Sequence, residues 1–444
     1  MPSTPNLSTE PQAAVPAMTP VAGWRWAPAW VLAYVALWPA PGIAEGVLVL
    51  GALIALGKLV FSRFRGGGQL LSHQAWALTS VLFCAYWVPE LVSALDAVDS
   101  ARALKEAAGD LRYLPFLWLA AAAVGDARGR RVTFIGLAVI VGVWTLDALL
   151  QAVAGTSPLF FGLDAVKQAI SHRPICPPEE ILEANRLSGI LGPCNPKLGQ
   201  VLASLSPFAL YAVARRFDGL GWVLTAAAIG VVILLTGSRA SWITYALVLA
   251  VSGWRLLGGK RLLAVFAAGA VVLVVLGLTS AQVRERLQRT THALSADTQG
   301  VDAALSGRAR IWGAALCMAK EHPVNGVGAR GFRHAFAACD PDPTQPPAWG
   351  AGPALHAHQI LLEILSETGA FGLLLWLAGA ALAWRAWRYA DEASREQAKP
   401  AMLALAVTVF PFNTHLAFYS TFWGGLTLLL AALYAGSLLA RRHV

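Results

Sequence analysis

Apolar runs of span length alternate with short polar stretches along the whole chain. The first fall near residues 26–40, 43–61, 74–95, 111–125 and 131–153. A polar stretch at about 155–197 follows, then runs ending at Arg215-Arg216 and Thr236-Gly237-Ser238-Arg239, and two more before about residue 280. The last three fall near 358–385, 400–413 and 419–439. A bilayer core is crossed by about 20 apolar helical residues, so the pattern predicts an all-α polytopic integral membrane protein with about 12 transmembrane helices. Residues 1–22, rich in Pro, Ser, Thr and Ala, read as a disordered cytoplasmic tail without a cleavable signal. Residues 23–280 hold helices one to nine, 281–357 form a large polar loop with short amphipathic helices, and 358–444 hold helices ten to twelve.

Composition agrees. Of 444 residues, 57% are hydrophobic and 13% charged, against roughly 25% charged in globular domains. The 17 Trp suit a protein with two water–lipid interfaces. The net charge of +9 is spread over many loops without a basic patch interleaved with aromatics, which argues against nucleic acid. Five cysteines without C-x-x-C spacing argue against zinc and redox motifs. Cys176 and Cys194 share one loop, and Cys339 lies in the other with Cys317 nearby. Their pairing is open at this stage, and Cys84 is a span residue.

Charge sets the expected orientation. Short loops of one parity carry Lys and Arg, at about 63–65, 128–131, 215–216, 255–261, 385–399 and 441–442. The positive-inside rule makes that side cytoplasmic, with both termini, and the long loops face the periplasm or exterior. This leaves arginines that topology does not require: Arg173 and Arg186 in the first long loop, then Arg284, Arg286, Arg289, Arg308, Arg310, Arg330 and Arg333 in the second. A single exposed arginine is ordinarily solvated charge. A set beside membrane ends fits an anionic, membrane-bound substrate.

Several residues stand out as candidates. Arg239 sits at the exterior end of a span, where a cation is expensive unless paired or hydrated. Arg186 precedes a span in a Gly- and Pro-punctuated loop. Arg308 and Arg310 open a segment, Arg308 to Lys320, with apolar residues at 311, 312, 315, 316 and 319. That spacing predicts an amphipathic helix lying on the membrane with Trp312 as anchor. Its guanidinium forks would meet phosphate oxygens. His356 and His358 lead into a span. Two histidines without further ligands make a weak metal site, whereas an imidazole near neutral pH can take a proton from a hydroxyl. His358 is the first choice for that base and His356 the second. Glu363 and Glu367 lie one turn apart on one face. Glu367 reads as a supporting group that pairs with an arginine. Gly326-x-Gly328 has no preceding strand, so it is no dinucleotide fingerprint. It reads as a turn whose amides approach an anion.

Four ordered motifs then resemble a known family. They are Gly237-Ser238-Arg239; Ser306-Gly307-Arg308-x-x-Ile311-Trp312; His322-Pro323-x-Asn325-Gly326-Val327-Gly328; and His358-Gln359 with Ser366-Glu367-Thr368-Gly369-x-x-Gly372. Together they resemble the O-antigen ligase/polymerase superfamily, polytopic glycosyltransferases of the GT-C type, most strongly over about 198–372. Gln359 stands where many members carry Asn. The resemblance implies a bacterial inner-membrane enzyme of lipopolysaccharide synthesis with a periplasmic site. The donor would be an O-antigen glycan on undecaprenyl pyrophosphate and the acceptor a sugar hydroxyl of lipid A–core, with inversion and without metal or other cofactor. It implies Arg186, Arg239 and Arg308, with Arg310 as a weaker candidate, on the diphosphate, and His358 as base. An O-antigen polymerase or a protein O-oligosaccharyltransferase shares the motif order. A lipid-linked glycan transporter is the other class. It would place charges along the membrane midplane and show repeated halves, and the charged residues here cluster at one face.

Overall fold

A computed structural model of the chain describes residues 24–65, 70–177, 179, 181, 186–279, 284, 305, 307–347, 349, 352–413 and 417–440. The expected tail at 1–22, with Arg286, Arg289 and Arg441-Arg442, lies outside them. No strand occurs among the described residues. The helices are α1 (Ala27–Ala36), α2 (Pro41–Arg65), α3 (His73–Ala94), α4 (Ser100–Asp110), α5 (Tyr113–Ala123), α6 (Ala127–Ala154), α7 (Pro158–Ser171), α8 (Leu198–Leu235), α9 (Arg239–Thr279), α10 (Arg308–Glu321), α11 (Phe332–Cys339), α12 (Ile360–Tyr389), α13 (Glu392–Thr408) and α14 (Thr421–Leu438). Their starts are written in the sequence. Ser72, Asp99, Asp126, Ser157, Gln359, Asp391 and Ser420 each cap a helix by accepting a backbone N–H of its first turn.

The protein is an all-α polytopic membrane protein. Seven of the described helices, α2, α3, α6, α8, α9, α12 and α14, are long and apolar enough to cross a membrane. The sequence pattern predicts about 12. The counts differ because α1, α5 and α13 are shorter, and because two long helices contain breaks. α8 breaks at Asp218 (φ 52°) and α9 at Gly258 (φ 74°). In α8 the break reverses the chain. A straight helix would separate residues 199 and 236 by about 55 Å, yet Gly199 lies directly against Thr236 and Ser241. The innermost helix is α14, 89% of whose span is buried; it packs on α3, α5 and α13.

One bend organises the rest. α12 is broken at Gly369 (φ 66°, ψ −167°). An unbroken helix would bond Ala370 N–H to Ser366 C=O and Phe371 N–H to Glu367 C=O. Instead these two donors reach Pro323 and Val324 carbonyls at 2.9 and 3.0 Å, while the freed Ser366 and Glu367 carbonyls accept from Val327 and Gly328 N–H at 2.9 and 3.0 Å. The 323–328 loop therefore replaces both lost helical bonds, which a bilayer would otherwise leave unsatisfied. Two glycines allow the approach. A Cβ on Gly326 would fall on the Glu367 carbonyl carbon, and one on Gly369 on the Val324 carbonyl.

A small second core lies beside the spans. Ile311, Ala314, Ala315 and Met318 of α10 pack with Val327, Phe332, Phe336, Cys339, Ala354 and Ala357. Disulfides join Cys317 to Cys339 and Cys176 to Cys194. The helix predicted from Arg308 is present, but its face differs from the expected one. Residues 311, 314, 315 and 318 are buried against protein, Leu316 is exposed, and Trp312 donates to a backbone carbonyl. The helix is clamped to the loop around it, and its apolar stripe is used up by the second core.

Gly369→Ala and Gly326→Ala should each cost about 2 kcal/mol or more, because backbone atoms cannot move aside as side-chain tips do. Gly142→Ala, with open space around it, is the control and should be neutral. Thermal unfolding of the purified proteins in detergent measures all three. Wild-type midpoints for the first two would refute the contact.

Candidate active site

The ends of several helices gather at one face of the bundle. Lys197, just before α8, places its ammonium 4.5 Å from the Phe422 ring of α14. Gly199 touches Thr236 and Ser241 around Arg239, the first residue of α9. Gly189 N–H donates to Gln151 Oε1 at 2.6 Å and its Cα faces Leu198, which brings the chain after Arg186 to the start of α8. Arg186, Lys197 and Arg239 thus share one corner. Burial lowers the Lys197 pKa, as expected of a lysine that meets an aromatic ring and, among the described residues, no carboxylate.

The histidine loop joins this face through α12 and α14. His356 and His358 have ring centroids 3.9 Å apart. His358 adopts φ 54°, a left-handed conformation that few non-glycine residues take. The carbonyl between them, on Ala357, accepts the Trp312 indole N–H at 3.1 Å. Arg308 lies one turn before Trp312, so it shares the α10 face that meets the histidine loop. Directly after the loop, Gln359 caps α12 by accepting Leu362 N–H at 2.6 Å.

Below the histidines lies a buried polar layer. Glu363 Oε1 accepts Tyr419 N–H at 3.4 Å, and Thr368 shares a 2.9 Å hydrogen bond with Tyr419. Glu367 accepts Arg330 N–H at 2.8 Å. The donor is the backbone of Arg330 and not its guanidinium, so this bond is no arginine ion pair. The Arg330 guanidinium instead reaches Glu106 at 3.0 Å and Thr421 Oγ1 at 2.9 Å, tying α4 to the start of α14. Arg330 also adopts a left-handed φ of 60°.

Two expected roles change. Arg310 grips Asp340 with both arms of its fork, at 2.7 and 2.6 Å, and donates to the Gln345 carbonyl. This pairing holds the Asp340 carboxyl below its usual range, and it makes Arg310 a tie of the 308–345 segment. Gly326 and Gly328 use their amides on the His322 and Glu367 carbonyls, so they support the α12 bend and offer no anion cradle. Atoms of Cys317, Glu321 and Cys339 converge, but the two sulfurs are bonded to each other and a disulfide is not a thiolate ligand.

Sequence reasoning passed over three residues. Lys197 stands alone before an apolar run. Arg330 was one loop arginine among several; Gly328 and Gly331 beside it mark the tight turn. Glu90 hides within a candidate span and is 1% exposed, with neither carboxylate oxygen hydrogen-bonded among the described residues. Its signal was the rarity of an acid in such a run.

The fold and this face define a polytopic membrane protein that collects arginines and a histidine pair where its helices end. Residues 224–377, from the second half of α8 into α12, match the family model described as O-antigen ligase. Over that segment, about a third of the chain, the protein is similar to the O-antigen ligase superfamily. No curated protein matches the chain at a significant level.

Burial pushes Asp110, at the end of α4, up to about 6, against the pull of Arg112 and Arg330. An unfolded aspartate titrates near ~3.9, so the folded state binds this proton more tightly. Its contribution to stability is full below about pH 4 and is lost as pH rises through the folded value. Between pH 4 and 7 the wild-type unfolding midpoint in detergent should fall more steeply than that of Asp110→Asn. Parallel slopes would rule the effect out.

Proposed function

We propose that this protein is an O-antigen ligase, transferring a glycan from undecaprenyl pyrophosphate to a sugar hydroxyl of lipid A–core oligosaccharide. The observation that carries this reading is the histidine pair fastened, through Ala357 and Trp312, to the helix that begins at Arg308. A base and a cation are thereby held on adjoining surfaces. His358, with His356 as second choice, takes the proton of the acceptor hydroxyl. The hydroxyl oxygen attacks the anomeric carbon from the face opposite the diphosphate. The bond from that carbon to the diphosphate oxygen breaks, its electron pair leaves with undecaprenyl pyrophosphate, and the anomeric configuration inverts. Arg308, Arg186 and Arg239 neutralise the charge that grows on the leaving group, in the role a divalent cation plays elsewhere. Glu367, Gly326 and Gly328 hold the α12 bend on which the histidine loop stands.

The site is assigned to the periplasmic side of the bacterial inner membrane, with both termini cytoplasmic. Both disulfides support this, since they lie in the two long polar segments between spans and disulfides persist in oxidising compartments. Arg215 and Arg255 at the opposite helix ends support it through the positive-inside rule.

His358→Ala should abolish transfer in purified protein that remains folded, by at least the roughly 10²-fold typical of a lost general base. Retained transfer would remove His358 from the mechanism. Arg308→Lys should lose most activity, since an ammonium lacks the fork. Arg310→Ala should instead lower stability by about 1–3 kcal/mol with activity per folded molecule preserved. Loss of activity in EDTA that Mg²⁺ restores would overturn the metal-free scheme. Offering lipid-linked glycan with lipid A–core, with free lipid-linked units or with protein acceptor separates ligase from polymerase and protein O-oligosaccharyltransferase by product.

A further inference from the structure

A cavity of about 600 Å³ lies at the opposite end of the bundle from the histidine pair. Its size falls in the roughly 300–1,000 Å³ range of small-molecule sites. Arg255 lines it, and α9 runs unbroken from Arg239 to beyond Arg255. Those 16 residues span about 24 Å, which separates the cavity from the arginine corner by most of a bilayer.

The walls are apolar, from Ala214, Ala250, Val251, Leu256 and Met402. Charged groups line it too. Arg255 and Lys399 both line the cavity and share a single acid, Glu396. Arg215, one turn after the lining residue Tyr211, adds a cation on the same helix face. Among the described residues, two lining cations therefore share one carboxylate. Trp222 is a further lining residue, 1% exposed, with its six-membered ring against Gly253. Its indole N–H has no acceptor among the described residues. A buried N–H is normally satisfied, so this one is available to an oxygen of a bound molecule. Trp254, also lining and exposed, is of the type that sits at headgroup depth.

We propose that this cavity binds an anionic diacyl phospholipid from the leaflet opposite the histidine site. One acyl chain fills the apolar part, an ester or glycerol oxygen accepts the Trp222 N–H, and the phosphate lies against Arg255 and Lys399. A neutral lipid would satisfy Trp222 and the walls but would leave the excess positive charge unmatched. Charge complementarity selects the occupant.

The test uses the delipidated full-length protein in detergent, titrated with dioleoyl phosphatidylglycerol or dioleoyl phosphatidylcholine, with bound lipid counted by native mass spectrometry. Wild type should bind phosphatidylglycerol at least tenfold more tightly than phosphatidylcholine. Arg255→Ala/Lys399→Ala should remove that preference. Ala250→Phe, which fills the cavity and leaves the charges in place, should weaken both lipids. Trp222→Phe, which keeps the ring and removes the N–H, should weaken both by several-fold. Equal binding of the two lipids by wild type overturns the proposal. So does a preference that survives the double substitution, or unchanged binding by folded Ala250→Phe. Tighter binding of a polyprenyl phosphate, displacing phosphatidylglycerol, also overturns it, because the cavity would then belong to a different lipid class.

Discussion

Hydrocarbon offers no hydrogen bonds, and this fold places a broken helix beside it. At Gly369 two donors and two acceptors of α12 lose their helical partners. The 323–328 loop supplies all four replacements through its own backbone. Most of the neighbouring structure follows from that exchange. It fixes the loop against α12, positions Gly328 against Ala97 just after α3, and directs Arg330 toward Glu106 and Thr421. The histidine loop then stands on the first turns of the same helix.

In the proposed mechanism, cations on different elements act at one face, and each is carried there by a different route. Arg186 arrives through a loop closed by the Cys176–Cys194 disulfide and seated on α6 through Gln151. Arg239 arrives at the tip of a tight turn packed on Gly199. Arg308 arrives on a helix whose far end is closed by Cys317–Cys339. Repulsion among such cations opposes bringing them together, so each is carried by a segment with its own covalent or packing restraint. The arrangement suits an anion that crosses the gap between them.

Much of this was legible in the sequence because the governing signals are local. Apolar runs, capping residues and the amphipathic start at Arg308 each concern neighbours within a turn or two. The α8 reversal coincides with Arg215-Arg216, a charged interruption that separates two runs. What escaped depends on distant partners. Arg310 resembled Arg308 until Asp340, 30 residues on, claimed its fork. Gly326 and Gly328 looked like an anion turn because nothing local reveals that residues 366 and 367 need donors. The α10 stripe was displaced by a residue or two because Trp312, apolar by type, uses its one polar atom on Ala357. Glu90 escaped because a single acid hardly alters the hydropathy of a long run.

The α12 bend also bears on the order of assembly. Before the loop is in place, Ala370 and Phe371 have ready partners in Ser366 and Glu367, and a helix newly arrived in lipid is complete when straight. Docking the loop exchanges those two helical bonds for four between segments. The bend is thus held by partners from outside the helix. The direction of the first turns of α12, with the histidines above them, therefore depends on a loop that lies outside the helix in sequence.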